Sequence, residues 1–403
     1  MIVSRPRLKA FIAALALVAC APASAEETLT LVSSWNRQIN FSQHAQHYID
    51  AVNERGRGVV QIEFIGGPEV IPQRQLFYAL RRGVIDMALG GITYYLGLLP
   101  EGDAIFASNI DPMQARASGA LEALQPYWKK RANAHLIGWM QSGIGISIYL
   151  ARRPEFTPDG MPDLRGLKLR TSPSNRELLY AFGARPVQIA LRETYTALQR
   201  GIVDGLAFTS VGLADLGVEE FVRYRIDPEV LNLSICLQIN LDRWTALSDE
   251  ARHILTDEAT KYAVEANQWF RDLRVREYAE LAETGFQSVP APDPEAFRDL
   301  AHQVVWDRMQ KRAPDSVEAL KPLFYPQPGE GAAWGATPAK AGSFPSPRGS
   351  VGGRRPPPSP MDGFMRLPRG EGKLPARAST PALRRLSPGI PETGEICGTC
   401  PGK

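Results

Sequence analysis

The side chains best placed to do chemistry in this 403-residue sequence are a cation and several aromatics, not nucleophiles. Arg170 closes the short β-type run at 167–170 (LKLR), and in open α/β sheets ligands collect beyond the carboxyl ends of strands. A guanidinium fixed there presents a planar fork of donors that matches a carboxylate. The plainer reading is a surface or structural arginine. Trp35, Asn36, Glu69, Tyr94 and Tyr95 fall just past the ends of predicted strands, and Tyr149 follows a further one. Trp35 and the tyrosine pair could stack on an aromatic ligand, or serve core and hinge packing. Glu69 reads more readily as exposed than as ligand-facing.

Other chemistries find little support. The five histidines (His44, His47, His135, His253, His302) are scattered. His44 and His47 stand at i and i+3 on one predicted helix, but no third ligand follows at a suitable spacing, so a solvated helix face is the stronger reading. There is no G-x-S-x-G elbow, no HExxH and no phosphate loop. No catalytic activity, cofactor or bound metal is expected, and a periplasmic enzyme or non-transport ligand sensor is the alternative class.

These residues must be held by the elements around them. Residues 164–208 (LRGLKLRTSPSNRELLYAFGARPVQIALRETYTALQRGIVDGLAF) predict β-α-β-α-β, with Ser174 and Glu177 as a capping box and Gly183 and Gly201 as helix stops. Earlier, strands are predicted at 28–35, 59–65 and 84–89, with helices at 42–55, capped by Ser42, and at 73–82, closed by Gly83. The segment Ala79-Leu80-Arg81-Arg82-Gly83-Val84-Ile85-Asp86 is echoed by Ala197-Leu198-Gln199-Arg200-Gly201-Ile202-Val203-Asp204. The echo implies two similar α/β lobes. A strand at 136–150 would pass from one lobe to the other and 233–241 would return, with helices at 115–129, 246–284 and 294–312, the last packing across both.

Three blocks carry a family resemblance: Asp163-Leu164-Arg165-Gly166-Leu167-Lys168-Leu169-Arg170, then Gly183-Ala184-Arg185-Pro186, then residues 195–205 (YTALQRGIVDG). The chain resembles the solute-binding subunits of TRAP transporters, the DctP-like family, over about residues 28–323. The resemblance implies an α/β, two-lobe periplasmic binding protein fold with hinge strands and a ligand cleft. It also implies a receptor that closes on a small organic acid and delivers it to TRAP transporter membrane subunits, with Arg170 pairing with the ligand's carboxylate. Two positions depart from the family pattern. Ala207-Phe208 stands where members that bind polar acids carry Glu-Asn, and Leu191 replaces an aromatic. Ala207 cannot supply the acidic residue through which some members bridge a metal. Phe208 and Leu191 therefore imply a more apolar, metal-free pocket for a monocarboxylate with a hydrophobic or aromatic body.

Composition sets the remaining bounds. The net charge of +3 hides two unlike parts, since residues from Gln327 onward carry 11 Lys/Arg against 5 Asp/Glu and 14 of the 33 prolines. That tail has no apolar period and reads as disordered or as appended sequence. Nothing in the rest suggests a nucleic-acid face. Arg5, Arg7 and Lys9, a short apolar core and Ala23-Ser24-Ala25 make a secretory signal, while the run ending at Cys20 resembles a lipobox. Either processing route predicts a periplasmic protein. The expected organisation is a signal peptide at 1–25, lobe I at 26–147 and 237–275, lobe II at 148–236 and 276–326, and a tail at 327–403. A monomer or a dimer is compatible with this. Cys236, alone in the folded part, reads as a buried apolar residue.

Overall fold

The computed structural model describes residues 26–326, so the signal segment and the tail, with Cys20, Cys397 and Cys400, lie outside the described residues. Two sheets organise the rest. The first joins β1 (Glu27–Ser33), β2 (Val60–Gly66), β3 (Met87–Gly91), β4 (Ala134–Gln141) and β12 (Ile235–Asn240) in the order β2-β1-β3-β12-β4. The second joins β5 (Ile146–Leu150), β8 (Lys168–Thr171), β9 (Arg185–Gln188), β10 (Gly205–Thr209), β11 (Tyr224–Val230) and β13 (Gln287–Pro290) in the order β13-β11-β5-β10-β8-β9. A small antiparallel ribbon pairs β6 (Glu155–Phe156) with β7 (Pro162–Asp163). Each sheet with its helices is one α/β lobe. Among the described residues no helix is long and apolar enough to cross a membrane.

The repeat seen in the sequence is a repeat in space. Gly83 and Gly201 take left-handed φ values of 68° and 63° and end their helices alike. Asp86 then accepts the Thr30 N–H of β1 at 2.8 Å, as Asp204 accepts the Lys168 N–H of β8 at 2.8 Å. Each aspartate thereby pins the neighbouring parallel strand, β1 beside β3 and β8 beside β10. Two residues on from these anchors stand Val32 in one lobe and Arg170 in the other.

Where the elements differ from the sequence reading, tertiary contacts decide. The strand expected at 136–150 breaks into β4 and β5. Gly143 turns there at φ +87°, and a Cβ on it would lie 2.4 Å from the Asn267 carbonyl. The return passes from β11 to β12 through a bend at Leu231 (φ 61°), and Leu233 N–H donates to the Ile144 carbonyl at 2.8 Å. Ser42 does not cap α1 (Asn40–Arg55), because its hydroxyl bonds Ser33 Oγ at 2.8 Å and the Trp35 carbonyl at 3.0 Å. The capping box at α2 (Arg176–Ala181) is also absent. Ser174 bonds Ser172 at 2.8 Å, and Glu177 accepts from Arg308 at 3.1 Å.

The apolar interior joins the lobes. One cluster runs from Val32, Ala88 and Cys236 of the first lobe through Phe106 to Leu169, Leu179, Phe297 and Trp306. Cys236 is buried and free, as its apolar neighbours suggest. The 35-residue helix α3 (Asp249–Glu283) buries Leu255, Tyr262 and Phe270 against the first lobe and Leu281 against the second. Helix α4 (Pro294–Arg312) touches β11 and α2 of the second lobe and the Asp103–Phe106 helix of the first.

Candidate functional site

Strand alternation places Arg170. In β8 it pairs with Leu206 of β10 and Val187 of β9, so its side chain shares their face, while Leu169 enters the opposite core. Arg170 is 6% exposed and its Nε donates to the Ile189 carbonyl at 3.1 Å. No carboxylate of the described residues makes an ion pair with it. Burial pushes its pKa down, opposed only by Tyr94. An arginine keeps its proton all the same, so the site holds a fixed, poorly hydrated positive charge.

Tyr94 brings the first lobe to this charge. It ends the turn Ile92–Tyr94 after β3, and that turn packs against Pro173–Asn175, which follows β8. Its ring meets Trp35 edge-on with centroids 5.8 Å apart, and Trp35 in turn lies 4.9 Å from Phe41. Burial raises the Tyr94 hydroxyl, against hydrogen bonds from Trp35 and Gln73 and the charge of Arg170. Gln73 also donates to the Ser34 carbonyl at 3.0 Å. Gly90 permits this approach, since a Cβ there would lie 2.4 Å from Ser34 Oγ. Ser34 Oγ and Asn175 Oδ1 are buried and have no protein partner. The segments that follow β1, β3 and β8 thus carry donors and unpaired polar atoms, and Arg170 at the end of β8 has no counter-ion among the described residues, which suits a small anion.

The remaining predicted residues separate. Phe208 is half-buried, two residues beyond Leu206 on the Arg170 face, and packs on the cluster of Leu206 and Leu213. Leu191 is half-buried in the turn Leu191–Glu193, just after the Ile189 carbonyl that holds Arg170. Trp35 is buried beside Tyr94. Asn36 is exposed, and so is Glu69, whose Oε1 accepts the Gly67 N–H at 2.7 Å and closes its own turn. That hydrogen bond holds the Glu69 carboxyl below its ordinary range. Tyr95 points away from Tyr94 into the core, stacked on Phe77 with its hydroxyl on Gln238. Tyr149, on a central strand, is fully buried and donates to the Thr209 carbonyl at 3.1 Å. Glu69 thus closes a turn and Tyr95 and Tyr149 pack in the core, because a position beyond a strand end says nothing about which way a side chain leaves the backbone.

Sequence reasoning passed over Gln73, Ser34 and Asn175. Each is a common polar residue in a turn, and only the apposition of the lobes gives it a role. The reading of His44 and His47 as a solvated face also fails, since His44 is 3% exposed and Glu265 of α3 joins the pair.

Comparison with known proteins places this geometry. The model of "Bacterial extracellular solute-binding protein, family 7" matches residues 31–312. The chain is similar to the 2,3-diketo-L-gulonate-binding periplasmic protein of Escherichia coli K12, at 23% identity over 70% of this chain and 87% of the relative. It is also similar to a monocarboxylate 2-oxoacid-binding periplasmic protein of Nostoc, at 24% identity over 56% of this chain and 63% of the relative. A TRAP periplasmic solute-binding protein of Chromohalobacter salexigens, solved with D-glucuronate, shares the fold with a TM-score of 0.63 at 19% identity, over 73% of this chain and 99% of that one. With its two lobes and its charge at the strand ends, the chain belongs to family 7 of the bacterial extracellular solute-binding proteins, the TRAP-type solute receptors.

Proposed function

We propose that this protein captures a small organic acid outside the inner membrane and hands it to the membrane subunits of a TRAP transporter. The observation that carries the reading is the buried, unpaired guanidinium of Arg170. Arg170 holds the ligand carboxylate in a two-bonded pair, and Tyr94 and Trp35 close on it from the first lobe. The relatives named above bind 2,3-diketo-L-gulonate, 2-oxoacids and D-glucuronate, all of them acids, which supports the class. Within it we favour a monocarboxylate with an apolar or aromatic body, because half-buried Phe208 shares the Arg170 face of the sheet, half-buried Leu191 follows the Ile189 carbonyl that holds Arg170, and neither side chain can hydrogen-bond a polyol.

Titration calorimetry after a thermal-shift screen of aromatic 2-oxoacids, aliphatic monocarboxylates, C4-dicarboxylates and sugar acids tests both levels. Arg170→Ala should weaken the best acid by well over tenfold, since truncating one partner of a desolvated charged pair costs about 2–5 kcal/mol. Unchanged affinity in that variant would overturn the anchor. Stabilisation by sugar acids alone would overturn the apolar body and leave the anchor standing.

A further inference from the structure

Apart from the strand-end residues, α1 and α3 bring together three side chains that the acid receptor does not use. We propose that His44, His47 and Glu265 form a binding site for a borderline divalent transition metal such as Zn²⁺. The histidines stand one turn apart on one face of α1, with ring centroids 4.8 Å apart. Glu265 reaches them from α3, and one ligand atom of each residue lies within 4.8 Å of the other two. Glu265 Oε1 is 2.6 Å from His47 Nδ1 and 3.9 Å from His44 Nε2.

A hydrogen bond between His47 and Glu265 accounts for that pair but leaves His44 unexplained. His44 is 3% exposed, and its Nε2 is buried with no hydrogen-bond partner while it faces Glu265. Its other nitrogen, Nδ1, lies 3.0 Å from the Tyr262 hydroxyl, and Tyr262 accepts from Gln141 Nε2 at 2.7 Å. In the tautomer protonated at Nδ1, that nitrogen donates to the Tyr262 hydroxyl and Nε2 keeps its lone pair toward Glu265, the orientation of metal-bound histidines. Tyr262 precedes Glu265 by one turn on α3, so a single helix supplies both a ligand and the group that orients another.

Two imidazoles and one carboxylate suit Zn²⁺, Ni²⁺ or Co²⁺ and not the all-oxygen preference of Ca²⁺ or Mg²⁺. Around Zn²⁺, bonds of about 2.0–2.1 Å put ligand atoms about 3.3 Å apart, so the ligand atoms, now within 4.8 Å of one another, would have to close up on the ion. Those two side chains are 39% and 54% exposed, which leaves a path for the ion and a fourth position for water. Bound there, the metal would clamp α1 to α3 within the first lobe.

The test uses the full chain without an affinity tag, stripped with chelator and dialysed against micromolar zinc. Metal analysis and calorimetry should find a zinc equivalent that disappears in His47→Ala, and Glu265→Gln should bind zinc at least tenfold more weakly. Both changes lie at the surface, so the fold is kept, which circular dichroism verifies. Zinc should raise the wild-type melting temperature where calcium and magnesium do not. Zinc content and affinity unchanged in both variants would assign any bound metal elsewhere, Cys397 and Cys400 included, and overturn the proposal. No zinc bound to the wild-type chain would overturn it as well.

Discussion

Two buried arginines, Arg170 and Arg308, are solvated by the protein in opposite ways. Arg308 is 5% exposed and grips Asp103 with two bonds, Nε to Oδ2 at 2.8 Å and Nη2 to Oδ1 at 2.6 Å, and adds Glu177. Burial lowers its pKa, but Asp103 and then Glu177 outweigh burial and the net direction is up. Arg225, also buried, is paired likewise with Asp227 and lies 3.3 Å from the centroid of the Tyr278 ring. Arg170 has one carbonyl and a tyrosine, and its net direction is down. The first arrangement is complete without a ligand and ties α4 to both lobes. The second leaves a desolvation cost for something else to offset. A buried charge that the fold does not answer is what a receptor for anions needs.

The largest expected effect is at the complete pair. Arg308→Met leaves Asp103 buried and alone, so stability should fall by about 3–5 kcal/mol, read as a lower denaturant midpoint. If Arg308→Met were as stable as the parent, the two arginines would not differ in kind. Next, Arg170→Met should abolish tight acid binding yet leave stability unchanged or raise it by about 1 kcal/mol, because no partner is stranded and an unanswered charge is removed. A stability loss matching that of Arg308→Met would make Arg170 structural.

A third prediction asks what a buried group does when it can discharge. Burial, with Asp215 and Glu280 adding to it, raises the Glu277 carboxyl to about 7 despite the Gly212 N–H at 2.7 Å. The folded pKa lies above the unfolded value of 4.5, so the folded protein holds the extra proton between the two. That contribution to stability is complete at low pH and is lost as pH rises through about 7. Glu277→Gln should flatten this slope and gain on the order of 1 kcal/mol at pH 8, measured by denaturant midpoints across pH. Unchanged pH dependence would mean the carboxyl is hydrated. His44 and His135 act with the opposite sign. Burial holds both near 4, below the free value of 6.5, so their contribution is present above 6.5 and lost as pH falls through about 4. In the Glu277→Gln background stability should therefore rise between those limits. The smallest effect concerns selectivity. Phe208→Asn should shift preference toward hydroxylated acids by a few-fold in relative Kd without loss of the carboxylate requirement.

Much of the scaffold was legible because its signals are local. Glycine stops at 83, 183 and 201 take the left-handed conformation that only glycine adopts cheaply, and the paired Gly-to-Asp segments mark equivalent corners of both lobes. Boundaries were less legible. Hydrophobic runs such as 136–150 do not show where a chain leaves one sheet for the other, and Val84, 65% exposed, sits outside the strand its type suggested. Capping by Ser42 and Ser174 failed because nearby hydroxyls and carbonyls competed for the same atoms.

By itself the amino-acid sequence determined the two-lobe α/β plan, the placement of Arg170 at a strand end and the apolar character of Cys236, since each follows from short-range pattern. Only the tertiary structure decided that Arg170 has no counter-ion among the described residues, that Tyr94 faces it while Tyr95 does not, and that Glu265 meets two histidines more than two hundred residues away. Whether a charge is answered depends on every atom within a few ångströms, and those atoms come from strands and helices that no local pattern brings together.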